Sequence, residues 1–231
     1  MFRTFHEALH EKSGLGFTGT AVALMAMTMG GVAHAQTAAK GASQAYPTRP
    51  VRLIVPLAPA GTTDIVARIV AQKYSEALGQ TVIVDNRPGA GTTLGTGLVA
   101  RAAPDGYTLL FTSSSIATNA ALYPKLPFDT LKDFAPVGPV GQSFYVLAVQ
   151  PSLGVSSVRD LVAMAKAKPK QILYASAGQG TITHLAVELF MANAQIKMQD
   201  VPFKGGAPAL LAFLSAQVPV IFSPIAEILP H

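Results

Sequence analysis

Ser176 lies in Tyr174-Ala175-Ser176-Ala177-Gly178, which has the outline of a nucleophile elbow: an apolar run, a serine at a sharp turn, then a helical stretch. A serine that transfers acyl groups needs a base within hydrogen-bond reach. Beyond residue 35 the chain offers only His184 and His231 as bases. His184 falls in the first turn of the next expected helix, too near along the chain for the late-coming base of such a triad. Tyr174 also stands where the first elbow glycine belongs. Ser176 therefore reads as a ligand-facing hydroxyl, with an exported serine hydrolase as the alternative. His184 reads either as a hydrogen-bonding residue at a helix start or as a ligand contact.

Other chemistries find little support. Gly89-Ala90-Gly91-Thr92-Thr93-Leu94-Gly95 resembles a dinucleotide fingerprint, but its third glycine comes one residue late and follows the second expected strand. A glycine-rich turn is the better reading. No Gly-Lys-Ser/Thr triplet exists for a phosphate loop. Beyond residue 35, two histidines and no cysteine argue against zinc, and no acidic cluster suggests calcium. No cofactor and no metal are expected.

What remains is a pattern of three loops rich in small and hydroxyl residues: Ala60, Gly61, Thr62, Thr63 and Asp64; Thr112 and Ser113 with their serine neighbours; and Ser176, Gly178, Gly180 and Thr181. Each follows an expected strand and feeds a helix or near-helix. Loops of this kind present backbone N–H groups and hydroxyls to an anion while carrying little acid–base equipment. Binding is favoured over catalysis.

The elements that must position these loops begin at VRLIVPLAPAGTTDIVARIV, residues 51–70. Val51–Val55 is an apolar, β-branched run expected to form a buried parallel strand. Thr62 and Thr63 offer N-cap hydroxyls, and Asp64 suits the first helical turn. Ile65, Ile69, Tyr74 and Leu78 continue at helical spacing to a Gly79 stop. Further strands are expected at 81–85, 107–111, 145–149, 172–175, 199–202 and 218–222. Helices are expected at 92–102 (Leu94, Leu98 and Val99 inward), 157–167 (a Ser157/Asp160 capping box), 181–193 and near 208–215, with Pro208 at the first helical position. This order gives an α/β fold with parallel sheets.

At the start, Arg3 and Lys12 precede an apolar stretch at 15–32 and the Ala33-His34-Ala35 site, the pattern of a cleaved secretory signal peptide over 1–35. No twin arginine is present. Residues 36–46 read as a flexible leader. Removing 1–35 takes two basic and two acidic residues, so the formal net charge stays at +5. The basic residues are scattered and lack interleaved aromatics, which implies mild attraction for anions and no nucleic-acid surface.

Taken together, YPTRPVRLIVPLAPAGTTDIVAR, LGQTVIVDNRPGAGTTLGT, APDGYTLLFTSSS, NAALYPKLPFDTLKDFAPV, LVAMAKAKPKQILYASAGQGTITHLAVELF and VPFKGGAPALLAFLSAQV resemble the extracytoplasmic solute receptors of tripartite tricarboxylate transporters, the Bug proteins. The resemblance implies a two-lobed periplasmic binding protein of the type II kind, with lobe 1 over 47–144 and lobe 2 over 145–231. It implies a monomer that captures a small carboxylate for a membrane permease, and carries Ala60 to Asp64, Thr112, Ser113, Ser176, Gly178, Gly180, Thr181 and His184 onto the cleft.

The sequence departs from the family pattern at three places. The Pro-Pro-Gly-Gly loop reads Ala58-Pro59-Ala60-Gly61. The Gly-x-Val-Asp-x-x-Phe-Asp pattern has Pro219 and Ser223 in place of its acids. Family members also continue beyond His231, so the fold is expected to be incomplete at the C-terminus. On that expectation lobe 1 lacks its last helices, and the chain is a marginally stable, impaired or non-functional fragment.

Overall fold

The computed structural model describes residues 46–231. The expected signal peptide and nearly all of the expected leader lie outside these residues. Tyr46, assigned to the flexible leader, is held: its hydroxyl donates to the Gly106 carbonyl at 2.6 Å, and its ring meets Tyr107 edge-on at 5.2 Å.

Two sheets form. In the first, β1 (Val51–Val55) lies between β2 (Val82–Asn86) and β3 (Thr108–Leu110), all parallel. The second has the order β4 (Tyr145–Val149), β7 (Val220–Pro224), β5 (Leu173–Ser176), β6 (Gln199–Pro202). Only β4 runs antiparallel to its neighbour. As the central strand of its sheet, β1 buries Val51, Leu53 and Val55 on one face and Ile54 on the other, which explains an apolar run broken only at the exposed Arg52.

Helix α1 (Thr62–Leu78) packs on this sheet through a different stripe from the one its large residues suggest. Asp64, Ala67 and Ala71 are buried, while Ile65 and Ile69 are 50% and 56% exposed. Two alanines one turn apart let the helix lie close on β1. Below them Ser75 continues the stripe, its hydroxyl accepting the Val82 N–H at 2.8 Å. Large apolar side chains there would hold helix and sheet apart. The same correction applies to α2 (Thr93–Ala100): Leu94 points outward, and the helix buries Thr93, Gly95, Thr96 and Gly97. A side chain at Gly95 would come within 2.7 Å of the Arg87 carbonyl, so the small residues set the distance here too.

After α3 (Ser115–Leu122) the chain runs without regular structure to β4. Helix α4 (Val158–Ala167) is capped by Ser157, which accepts the Asp160 N–H at 3.1 Å; such a cap is worth about 1 kcal/mol. Asp160 reaches back one residue further than a capping box requires, to the Ser156 N–H. Helices α5 (Ile182–Ala194), α6 (Gly206–Leu214) and α7 (Ile225–Ile228) complete the order. Pro208 is the third residue of α6 rather than the first, because the Gly205-Gly206 pair starts the helix earlier. Strand β7 begins after Pro219, whose carbonyl instead accepts the Gln150 N–H.

Leu161, Tyr174, Val187, Met191 and Val220 centre one apolar core on the second sheet, and Ala175, Leu210, Phe213 and Ile221 a second one under α6. Among the described residues no helix is long and apolar enough to cross a membrane.

Candidate functional site

The first of the three loops turns sharply after β1. Ala60 takes a left-handed φ of 67°, and its N–H donates to Asp64 Oδ2 at 2.9 Å. Gly61, not Thr62 or Thr63, is the N-cap of α1, and no side-chain oxygen caps the helix. This corrects the expected hydroxyl cap: with Asp64 bonding backward to Ala60, the threonines fall inside the first turn. Thr62 Oγ1 is buried and without a hydrogen-bond partner. Thr63 is half-buried.

Asp64 is turned into the chain. It is buried, and its two oxygens accept from Ala60, Asn86 and both Nε and Nη2 of Arg68. Burial alone would push its carboxyl up; the Arg68, Ala60 and Asn86 hydrogen bonds and the Arg68 charge outweigh that and hold it below the usual carboxylate range. Asp64 is the anchor that shapes the 60–62 turn.

The second loop follows β3. Thr112 Oγ1 is, like Thr62 Oγ1, buried without a partner. Ser113 and Ser115 share a hydroxyl–hydroxyl hydrogen bond of 2.9 Å ahead of α3. The third loop follows β5. Ser176 is fully buried, and its Oγ accepts the Gly178 N–H at 3.3 Å. Thr181 is the N-cap residue of α5, but its hydroxyl turns back to the Gly178 carbonyl at 2.6 Å. Gly178 and Gly180 take φ of 120° and 81°, which a side chain would disfavour.

His184 stands one turn into α5. Its Nε2 is 3.7 Å from Glu188 Oε1 and 4.0 Å from Asp200 Oδ2, and its Nδ1 is buried without a partner. Burial raises the Asp200 carboxyl above its ordinary range, and the Glu188 charge adds to this; Ser176 and His184 offset it only in part. Neither Asp200 oxygen has a well-formed hydrogen bond. Burial, reinforced by Asp200 and Glu188, also pushes the Tyr174 phenol upward, its hydroxyl donating to Glu188.

These loops meet across the two sheets. The Ala58 N–H donates to the Lys204 carbonyl at 3.0 Å. Thr118 Oγ1 donates to the Gly180 carbonyl, and Tyr123 to that of Gln179. Asn119, fully buried, donates to the Gly91 carbonyl at 2.8 Å and to Thr92 Oγ1 at 3.0 Å. The N-termini of α1 and α6 converge as well: a Cβ on Gly61 would lie 3.6 Å from the Ala207 nitrogen. Between them sits the Glu227 carboxylate. Oε1 accepts the Thr62 N–H, and Oε2 accepts from Ser223 Oγ at 3.4 Å. A Cβ on Gly206 would be 2.7 Å from Oε2. Beside this point opens a groove of about 360 Å³, lined by Ala60, Ile65, Ala207, Leu210, Leu214 and Glu227.

The family model of the tripartite tricarboxylate transporter family receptor matches residues 66–231. The chain belongs to this receptor family. It is 38% identical to Protein BugT of Bordetella pertussis over 202 residues, covering 87% of this chain and 62% of that protein. Among solved structures, R. palustris Rpa4515 with adipate aligns at TM-score 0.76 and 34% identity, over 80% of this chain and 62% of the other. MatC from Rhodopseudomonas palustris with bound malate aligns at TM-score 0.75 and 31% identity, over 80% and 63%. The chain thus spans about three-fifths of the length of the receptors it matches, and the two-lobed periplasmic-binding-protein architecture expected from the sequence is the fold of these receptors.

Sequence reasoning did not find Asn119, Asp200 or Glu227. Asp200 carried a signal, a lone acid within a short strand. Glu227 carried another, a lone acid inside the apolar run at 225–229. Asn119 carried none.

Proposed function

We propose that the chain is the cleft-bearing part of a periplasmic solute-binding protein, exported through the signal peptide at 1–35, that captures a small carboxylate and presents it to a membrane permease. The ligand-binding set is Ala60, Gly61, Thr62, Thr63 and Asp64 on the first loop, whose turn Asp64 also shapes, Thr112 and Ser113 on the second, and Ser176, Gly178, Gly180, Thr181 and His184 on the third. Lobe 1 comprises 47–144 and lobe 2 comprises 145–231. The reading excludes an enzyme, a cofactor and a nucleic-acid partner.

One observation carries this reading: the Thr62 N–H at the N-terminus of α1 receives a carboxylate, that of Glu227. A helix N-terminus concentrates unpaired N–H groups and positive potential, which favours an anion there. The orphaned hydroxyls of Thr62 and Thr112 add donors that lack a partner within the chain, and a buried hydroxyl gains when a ligand supplies one. The two R. palustris proteins hold adipate and malate, both small carboxylates.

The test is a melting assay with a panel of C4 to C6 dicarboxylates, citrate, acidic amino acids and aromatic acids. A ligand at 100 times its dissociation constant stabilises the folded state by about 2.7 kcal/mol. Gly61→Val should remove the shift, because its Cβ enters the space between Glu227 and the start of α6. A shift retained in that variant would place the site elsewhere.

A further inference from the structure

We infer that Glu227 is a specificity-determining residue of this cleft: its carboxylate holds the anion position between the N-termini of α1 and α6, so an external carboxylate takes that position only by displacing it. The inference deepens the carboxylate-binding reading and rests on it for the class of ligand.

Three features support the assignment. Glu227 touches both helix starts, accepting the Thr62 N–H on one side and lying where a Gly206 side chain would be on the other. It reaches there from α7, a single turn following directly on β7, and among the described residues its one other hydrogen bond comes from Ser223 at 3.4 Å. No cation pairs with it among the described residues. The carboxylate is therefore held by a backbone N–H at a helix start, a group that would otherwise be open to a free anion. It also borders the open groove lined by Ala60 and Ala207, so a small acid has a path to the position once the side chain swings away.

Gly206 fits this reading. Its missing side chain leaves room for the carboxylate, since any Cβ would overlap both Oε1 and Oε2, at 2.8 and 2.7 Å. Gly61 leaves a second opening, its Cβ position 3.3 Å from Oε1. The cradle is built from two glycines and a threonine amide, and the chain fills it from within.

The probe is acetate, titrated against chloride at constant ionic strength into the wild type, Glu227→Ala and Glu227→Gln, with the Thr62 amide resonance and the melting temperature as readouts. Before acetate is added, the Thr62 amide should move in both variants relative to wild type. Acetate should then move it back toward the wild-type position in Glu227→Ala, with a dissociation constant at least about tenfold lower than for wild type; Glu227→Gln keeps the side chain's shape and should respond in between. An unchanged Thr62 amide in both variants, or equal acetate affinity in wild type and Glu227→Ala, overturns the inference. If the larger carboxylates fail to stabilise any form while Glu227→Ala still takes acetate at Thr62, the proposed function falls and the role of Glu227 stands.

Discussion

Asn86 Nδ2 donates to Asp64 Oδ1 at 2.9 Å, so the last residue of β2 grips the first turn of α1. The same carboxylate holds the Ala60 N–H and the Arg68 guanidinium. Asp64→Ala leaves these donors without their acceptor in a buried site. Hydrogen bonds to a charged group are worth about 1.5–3 kcal/mol net, so the variant should lose about 2–4 kcal/mol in urea unfolding at pH 7. Because folding lowers the Asp64 pKa, its contribution is present above the unfolded value near 3.9 and is lost as pH falls through the folded value. The deficit of Asp64→Ala should therefore shrink on acidification. A constant deficit from neutral to strongly acid pH would show that packing alone is at work.

Asp200 has the opposite sign. Its raised pKa means that folding favours the protonated form. Its contribution is intact below the unfolded value near 3.9 and is lost as pH rises through the raised folded value. Glu188 and Tyr174 lie beside it, and Ser176 and His184 offset the cost of its charge only in part. Asp200→Asn should stabilise the chain at pH 7 by about 1 kcal/mol, the scale of one badly placed buried polar group, and the gain should close below about pH 4. Destabilisation at pH 7 would mean that the ionised carboxylate is needed where it stands.

How the loops meet across the sheets can be tested with three glycines. Gly91 has a φ of 58°, and a Cβ there would lie 2.0 Å from the Gln179 carbonyl oxygen. Gly180 has a φ of 81° and would place a Cβ 2.5 Å from Asn119 Oδ1. Gly154, at φ 70°, meets nothing within 4 Å. Gly154→Ala thus measures the backbone cost alone, about 1–2 kcal/mol. Gly91→Ala and Gly180→Ala should cost more and also push the loops apart, seen as a larger radius of gyration in small-angle scattering. Equal behaviour of all three variants would show that the loops tolerate separation without consequence.

Much of the fold is written in local pattern. The apolar run at 51–55, the Gly79 stop and the Ser157 cap each act within a few residues, and each element forms where that signal puts it. The faces of α1 and α2 are less legible. Ile65, Ile69 and Leu94 are the larger apolar side chains, yet Ala67, Ala71 and Gly95 face the core, because close packing on a sheet selects for size as well as polarity. The loops at 60–64, 112–113 and 176–181 are legible as small and hydroxyl-rich. That Asp64 anchors the turn depends in part on Asn86, 22 residues away. That Glu227 reaches Thr62 depends on a contact 165 residues apart along the chain, and no pattern within one segment encodes it.

The hydrolase alternative makes its own prediction. A serine nucleophile needs an exposed hydroxyl and a base on its oxygen. Ser176 is fully buried, its Oγ is engaged by the Gly178 N–H, and no hydrogen bond joins it to His184 among the described residues. His184 Nε2 instead lies 3.7 Å from a Glu188 carboxylate oxygen and 4.0 Å from an Asp200 one. Turnover of an activated ester such as p-nitrophenyl acetate should therefore match the buffer rate for both wild type and Ser176→Ala. The substitution should act on the loop instead. Removing the acceptor of the Gly178 N–H costs about 1 kcal/mol, and loosening the 176–181 turn should weaken any carboxylate-induced melting shift. Ester turnover above buffer in wild type that disappears in Ser176→Ala, with the carboxylate response unchanged, would assign Ser176 to catalysis and remove it from the binding set.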